Sequence, residues 1–143
     1  MSLEFFNGLS GTLRITLTEP PEPISPTLSN QRTTATAEIA DMTLAVQVWH
    51  DDNADFRDPT ADELQQVVLT TPELTLRGLG DPVTHRAPNG QWFTVSDLLD
   101  AIVQTERATR HHTSWFDGID VHHIFFEGIG FGSDGVGEIY WGS

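Results

Sequence analysis

Alternation of apolar and polar side chains is the feature that most constrains how this sequence can fold. Apolar residues recur at every second position in residues 12–18 and again in residues 42–49. That period places one face of a strand against a core and leaves the other face in solvent. Shorter runs of the same kind predict further strands, at 73–77, 121–126 and 136–141.

Residues 94–107 are the one segment with a strong helical period. Thr94 is placed to cap this helix and Asp97 to complete a capping box. The apolar stripe that follows is made of Val95, Leu98, Leu99, Ile102 and Val103. Weaker signals predict a short helix around 62–67 and a hairpin between turns at 81–82 and 88–90, returning through 91–93.

Strands and helix do not alternate regularly along the chain. We therefore predict a single α+β domain over residues 1–143, with a mostly antiparallel sheet and the helix of about 94–107 packed on it.

The charge balance excludes several classes of partner. The chain has 143 residues, with 21 Asp and Glu against 7 basic residues, all of them Arg, and a net charge of −14. Nucleic acids and anionic membranes need a basic surface, so neither is expected as a partner. There is no Cys and no Lys, which removes thiolate metal sites, thiol nucleophiles and Schiff-base chemistry. No signal peptide is recognisable, so we expect a small, soluble, cytoplasmic protein, with unconventional export left open.

Imidazoles and carboxylates are concentrated in residues 111–123, which contain four of the six His. Together they are common ligands of zinc and manganese. If 120–127 is a strand, Asp120 and His122 share one face about 6.7 Å apart, close enough to reach one ion. A third ligand would have to come from His111, His112 or His50. With His112, the sequence predicts a candidate divalent-metal site of His112, Asp120 and His122. The alternative is that these His are hydrogen-bonded structural residues beside an aromatic core.

Aromatic residues in the same region suggest a binding surface. Trp115 and Phe116 lie in a polar, Gly-flanked stretch and are predicted to be exposed. With His123 they form a candidate ligand-binding group, because flat aromatic faces can stack on sugar rings. A core or sheet-edge role for the Trp residues is the alternative.

The C-terminal half, about residues 73–143, resembles a group of uncharacterised basidiomycete (mushroom) proteins. The resemblance is carried by the helix sequence FTVSDLLDAI at 93–102, by WFDGIDVHHIFFEG at 115–128, and by the ending YWGS at 140–143. Members of that group often have three successive His where this chain has Val121, His122 and His123. The resemblance implies a fungal source and no secretion signal, and it implies no mechanism.

No sequence motif assembles a nucleophile, a base and an oxyanion donor. We therefore predict a non-enzymatic binding or interaction protein whose ligand is a small molecule, a glycan or a protein. One alternative is a metal-dependent hydrolase or oxygenase that uses His112, Asp120 and His122 as ligands and Glu127 as a base. The other is a lectin-like module that binds carbohydrate through Trp115.

Overall fold

The computed structural model describes residues 3–17, 39–50, 54–110 and 119–143, the side chain of His50 excepted. Within these ranges the elements, in chain order, are α1 (Leu3–Asn7), β1 (Ser10–Leu17), β2 (Ile39–His50), β3 (Asp55–Arg57), α2 (Ala61–Leu64), β4 (Val67–Leu69), β5 (Glu73–Arg77), β6 (Val83–Arg86), β7 (Phe93–Thr94), α3 (Val95–Thr109), β8 (Phe125–Phe131) and β9 (Gly137–Gly142).

Seven of the strands form one sheet in the order β3-β2-β1-β8-β9-β5-β6, and β4 and β7 form a two-stranded ribbon. All neighbours in the large sheet are antiparallel except β5 and β9, which are parallel. The fold is thus α+β with a mostly antiparallel sheet and one main helix, as the sequence predicts. No helix in the described ranges is long and apolar enough to cross a membrane.

Helix α3 packs on one face of the large sheet, which we call the inner face. The core between them is apolar and includes Leu13, Met42, Leu76, Leu98, Ile102, Ile129 and Ile139. The opposite, outer face carries polar side chains together with exposed Trp49, Phe125 and Tyr140. Successive side chains of a strand point to opposite faces of the sheet. The alternation of apolar and polar residues in the strand sequences therefore matches an apolar inner face and a polar outer face.

The predicted capping box at the start of α3 is confirmed. The Thr94 hydroxyl accepts a hydrogen bond from the Asp97 N–H at 3.2 Å, and the Asp97 carboxylate accepts one from the Thr94 N–H at 3.0 Å. The helix then runs to Thr109, and Val95, Leu98, Ala101 and Ile102 are buried on its sheet-facing side.

Removing the cap should weaken the whole fold, because α3 contributes a large part of the core. We expect Thr94→Ala to lower the free energy of unfolding by about 1 kcal/mol, within the usual range for a lost N-cap. Thr94→Ser keeps the hydroxyl and should stay close to the wild type. Urea unfolding monitored by circular dichroism measures both variants. Equal losses in the two variants would show that the hydroxyl is not what stabilises this helix.

Helix α1 has no counterpart in the sequence predictions. Phe6 is fully buried and contacts Phe126 edge to face, with ring centroids 5.5 Å apart. The Asn7 side chain donates to the Ile129 carbonyl at 3.1 Å and accepts from the Ile129 N–H at 2.8 Å. These bonds lie beside a bulge in β8 where Gly128 has φ +117°, a conformation that favours glycine. The N-terminal helix is therefore joined to a strand more than 100 residues away in sequence.

Four predicted strands are confirmed, as β1, β2, β5 and β9, and two predictions are wrong. Residues 91–93 do not return along 83–86: β6 pairs with β5, and β7 pairs with β4. The strand predicted at 121–126 begins only at Phe125 and continues to Phe131. The short helix predicted around 62–67 is displaced slightly and occupies Ala61–Leu64.

Candidate functional site

A buried arginine holds the segment that contains the predicted histidine and aspartate site. Arg110 follows the last turn of α3, and its side chain is fully buried. Its Nε donates to Glu106 Oε1 at 2.6 Å, its Nη1 donates to the Asp120 carbonyl at 2.8 Å, and its Nη2 donates to the His123 carbonyl. The guanidinium also lies 5.1 Å from the ring centroid of Trp141. One side chain thereby ties the helix end, residues 120–123 and strand β9 together.

The Asp120 carboxylate organises the turn that follows. Its Oδ1 accepts hydrogen bonds from the N–H groups of His122 at 2.7 Å and His123 at 2.9 Å, and its Oδ2 contacts His123 Nδ1 at 2.8 Å. Burial raises the pKa of Asp120, but the hydrogen bonds from His123 and His122 outweigh burial and leave this pKa below its ordinary value. Asp120 is therefore a buried, ionised residue that stabilises this turn.

These contacts change the geometry on which the metal prediction depended. Residues 120–124 are not a strand, so the prediction that Asp120 and His122 share a strand face is wrong. Asp120 is 2% exposed with three protein donors already on its oxygens, whereas His122 is exposed. The described ranges contain no group of three or more His, Asp or Glu that could hold a metal ion.

The remaining predicted site residues are His112, Trp115, Phe116 and Glu127. His112, Trp115 and Phe116 lie outside the described residues, so their roles as metal or ligand contacts stay predictions. Glu127, the base in the enzyme alternative, is exposed on β8, where a Cβ added at Gly142 would collide with its carboxylate.

Sequence reasoning missed the buried pair of Glu106 and Arg110. Burial raises the pKa of Glu106, and the charge and hydrogen bond of Arg110 only partly oppose this. Glu106 Oε2 and Trp141 Nε1 are buried and make no hydrogen bond of good geometry in the described part of the chain, although Trp141 also helps to hold the pKa of Glu106 down. A Cβ at Gly78 would overlap Glu106 Oε2, so glycine is required for this close approach. The i,i+4 spacing of the pair is visible in the sequence. Exposed ion pairs on helix surfaces have the same spacing, so the spacing does not indicate that this pair is buried.

A groove between β2 and α3 is a second candidate site, and sequence reasoning did not predict it. It has a volume of about 490 Å³ and opens to solvent. Its apolar lining is Met42, Leu44, Leu64, Leu99 and Val103, and its polar lining is Thr43, Ser96, Asp100 and Gln104. The groove thus has an apolar floor, and the only charge among its lining residues is that of Asp100.

Strand β2 borders this groove, and some of its backbone N–H and C=O groups point away from β1. The Leu13 N–H donates to the Ile124 carbonyl at 2.7 Å, on the β8 side of β1. Leu13 lies opposite Leu44, so these two residues form a pair that exchanges no backbone hydrogen bonds. The N–H and C=O of Leu44 therefore point away from β1, and those of Met42, two residues earlier on the same strand, do the same.

The open edge of β2 has a neighbour at each end. On the side away from β1, β3 pairs with Val48–His50, and no described strand pairs with the residues before Val48. At the other end, Arg107 donates to the Ala40 carbonyl at 3.3 Å and lies 3.8 Å from the Asp41 carboxylate. Between these two neighbours, about five or six residues of β2 have no strand partner on this side among the described residues.

The arginine nearest the β3 end of the edge is also paired. Arg57 donates from both terminal nitrogens to the Glu63 carboxylate, at 2.7 and 2.9 Å. The hydrogen bond from Arg57 lowers the pKa of Glu63 to about 2. Since Arg57 and Arg107 are both engaged by carboxylates, their charges do not offset that of Asp100 at the groove.

The fold and the groove together describe a small α+β domain in which the part of β2 before Val48 pairs with no described strand on its side away from β1 and lies beside an apolar groove. Comparison with protein-family models, with characterised proteins and with solved structures found no match. The resemblance to basidiomycete proteins therefore stays a prediction.

Proposed function

We propose that this chain is a non-enzymatic interaction protein that binds an extended segment of another polypeptide by adding it as a strand to β2. The observation that carries the proposal is the edge of β2 before Val48, which pairs with no strand in the described part of the chain and lies beside an apolar groove. Strand addition of this kind takes its affinity from backbone hydrogen bonds and its specificity from pockets for alternate side chains. Here the edge of β2 supplies the backbone hydrogen-bonding groups, and the groove supplies a pocket for side chains.

The two parts of the site are matched in position. The peptide groups of Met42 and Leu44 point to the open edge, and the side chains of the same residues line the groove. A strand added there would place every second side chain over Leu99 and Val103 of α3. The residues between would lie on the outer face of the sheet, beside exposed Thr43.

A binding role is favoured over catalysis because the buried carboxylate of the predicted site is already hydrogen-bonded within the protein. The Asp120 carboxylate, the best-placed acid of the predicted site, is bonded to His122 and His123 within its own turn. An ion or a substrate proton at that carboxylate would have to displace these bonds, at the cost of leaving buried groups unpaired. The metal site, the hydrolase or oxygenase and the lectin-like module stay as alternative predictions that depend on His112 and Trp115.

Blocking the groove should weaken peptide binding strongly without unfolding the protein. We expect a phage-displayed library of random dodecapeptides to be enriched on the wild-type protein. Ser96→Trp should weaken binding of the enriched peptides by at least about tenfold, because an indole would occupy the space that a ligand side chain needs. The matched control is Ala108→Trp, an exposed position of the same helix that does not line the groove. It should bind like the wild type.

Hydrogen exchange distinguishes strand addition from other ways of filling the groove. When an enriched peptide binds, the amide hydrogens of Met42 and Leu44 should exchange more slowly, because they become donors to the new strand. Those of Thr43 and Ala45, which face β1, should change little. No enrichment on the wild-type protein, or no protection at Met42 and Leu44, would contradict the proposed function.

A further inference from the structure

We infer that Asn89 is a site of spontaneous deamidation and that the fold protects Asn7, which has the same following residue. Both are followed by Gly, as Asn7-Gly8 and Asn89-Gly90, and no other Asn in the chain is. Neither residue lines the groove at β2, so this modification is independent of the proposed function. The two dipeptides differ in their exposure and in the hydrogen bonds that hold them.

Deamidation at an Asn-Gly dipeptide is an attack of the backbone on the side chain. The Gly90 nitrogen loses its proton to solvent and forms a bond to Cγ of Asn89. The Cγ–Nδ2 bond then breaks, and the amide nitrogen takes a proton from water and leaves as ammonia. Addition of water to the cyclic succinimide gives aspartate when the ring opens at Cγ, and isoaspartate when it opens at the main-chain carbonyl. Glycine favours the attack because it has no Cβ to crowd the nitrogen.

Asn89 lies at the tip of an exposed turn that the core holds at both ends. Ala87 and Phe93 are buried, at 5% and 1% exposure, whereas every residue from 88 to 92 is exposed. Gly90 has φ +76°, and a Cβ built there would meet no atom within 4 Å beyond its chain neighbours. The tip therefore has room for the succinimide ring, since no other described residue packs against Gly90.

The hydrogen bonds that hold the Asn89 side chain are exposed to water. Asn89 Oδ1 accepts from the N–H groups of Gln91 and Trp92, both at 2.9 Å, and the Gly90 N–H donates to the Ala87 carbonyl at 2.9 Å. The Gly90 nitrogen attacks only after its own bond has opened and the Asn89 amide has turned toward it. Exposed bonds at a loop tip open at a low cost in free energy, because water replaces the lost partners.

Asn7 belongs to the same kind of dipeptide, but the sheet holds its side chain. The Asn7 amide donates to the Ile129 carbonyl and accepts from the Ile129 N–H, so both of its polar atoms are bonded to the backbone of β8. The Gly8 N–H donates to two carbonyls in the last turn of α1, at 3.0 and 3.1 Å. Freeing Asn7 requires α1 to separate from β8, and the adjacent Phe6 is fully buried in the core. Such an opening exposes apolar surface and therefore costs much more free energy.

The two products affect the turn at Asn89 differently. Aspartate keeps an oxygen acceptor for the N–H groups of Gln91 and Trp92 and adds one negative charge. Isoaspartate adds one carbon atom to the backbone between Ala87 and Phe93. Because the core holds both of these residues in place, the turn has to rearrange.

Peptide mapping by mass spectrometry tests the inference on the folded, full-length protein. The protein is incubated in mildly alkaline buffer made with heavy-oxygen water, which labels every Asn that passes through a succinimide. We expect at least about tenfold more label at Asn89 than at Asn7, because local opening is much less costly in the turn than in the core. A methyltransferase specific for isoaspartate should modify the Asn89 peptide as well. In concentrated urea both dipeptides lose their hydrogen bonds, so they should react at similar rates.

A variant that loosens α1 provides the matched control. Phe6→Ala should raise the labelling of Asn7 and leave that of Asn89 unchanged, whereas Phe5→Ala should raise it much less. Labelling of Asn89 that does not exceed that of Asn7 in the folded wild type would overturn the inference. A difference that persists unchanged in urea would also overturn it, because the neighbouring sequence and not the fold would then protect Asn7. None of these outcomes bears on peptide binding at β2.

Discussion

Arg110→Met should lower the free energy of unfolding by about 3–5 kcal/mol at pH 7. The variant leaves the carboxylate of Glu106 buried without a cation, and this is among the costliest changes that a single substitution can make. It also removes the donors to the carbonyls of Asp120 and His123. Because small domains are stable by only about 5–15 kcal/mol, the variant should be close to its stability limit. Urea unfolding followed by fluorescence measures the loss.

A matched control uses the same substitution on the same helix. Arg107→Met removes a guanidinium that is 51% exposed and lies 3.8 Å from Asp41, so we expect a loss of less than about 1 kcal/mol. Comparable losses in the two variants would contradict the role assigned to Arg110.

The pH dependence of Arg110→Met gives a further check on the mechanism. Burial already holds the pKa of Glu106 above its ordinary value, and loss of the Arg110 charge removes an opposing effect. The folded variant therefore binds a proton at Glu106 at a higher pH than the unfolded chain does. Lowering the pH from 7 toward the ordinary Glu pKa of ~4.3 should then reduce the difference in stability from the wild type. A constant or growing difference would mean that the buried charge is not its cause.

Phe6→Ala should cost about 3–5 kcal/mol, the usual range for truncating a buried aromatic residue. Phe6 is 0% exposed and packs edge to face on Phe126, which in turn packs on Trp141 with centroids 6.0 Å apart. Its removal would leave a cavity under β8 and release α1 from the core. Chemical denaturation at a fixed pH measures the effect.

The neighbouring residue serves as the control for this substitution. Phe5 is half-buried at the margin of the same core, so Phe5→Ala should cost less than about 2 kcal/mol. Hydrogen exchange at Ile129, whose N–H is held by Asn7, should increase in Phe6→Ala and much less in Phe5→Ala. A loss in Phe6→Ala no larger than that in Phe5→Ala would mean that α1 is not part of the folded core.

The parts of the fold that sequence reasoning predicted are those with a local cause. The capping box at Thr94 and Asp97 and the stripe from Val95 to Val103 are short-range patterns, and α3 forms where they predict it. The alternation around Leu13 and Met42 likewise predicted β1 and β2. Residues 120–124 have strand-like composition, yet the hydrogen bonds of Asp120 and Arg110 hold them in a turn. Contacts with a buried arginine from outside this segment therefore override its local preference for β structure.

The candidate site was predicted less well than the fold. The concentration of His and Asp at 111–123 directed attention to a metal, but two of its members, Asp120 and His123, pair with each other. The groove at β2 depends on which edge of β2 stays unpaired and on where α3 crosses the sheet. Neither property is a pattern in one stretch of sequence, because each depends on the order of the strands.

By itself, the sequence determined the class of fold, the main helix with its cap, most of the long strands and the acidic net charge. These follow from periodicity, capping and charge, which act between residues close in the chain or over the chain as a whole. Only the tertiary structure decided that Arg110 is buried with Glu106, that Phe6 belongs to the core and that no described strand pairs with β2 before Val48, where it lies beside α3. Burial and strand order are set by contacts between distant residues, and no local pattern encodes them.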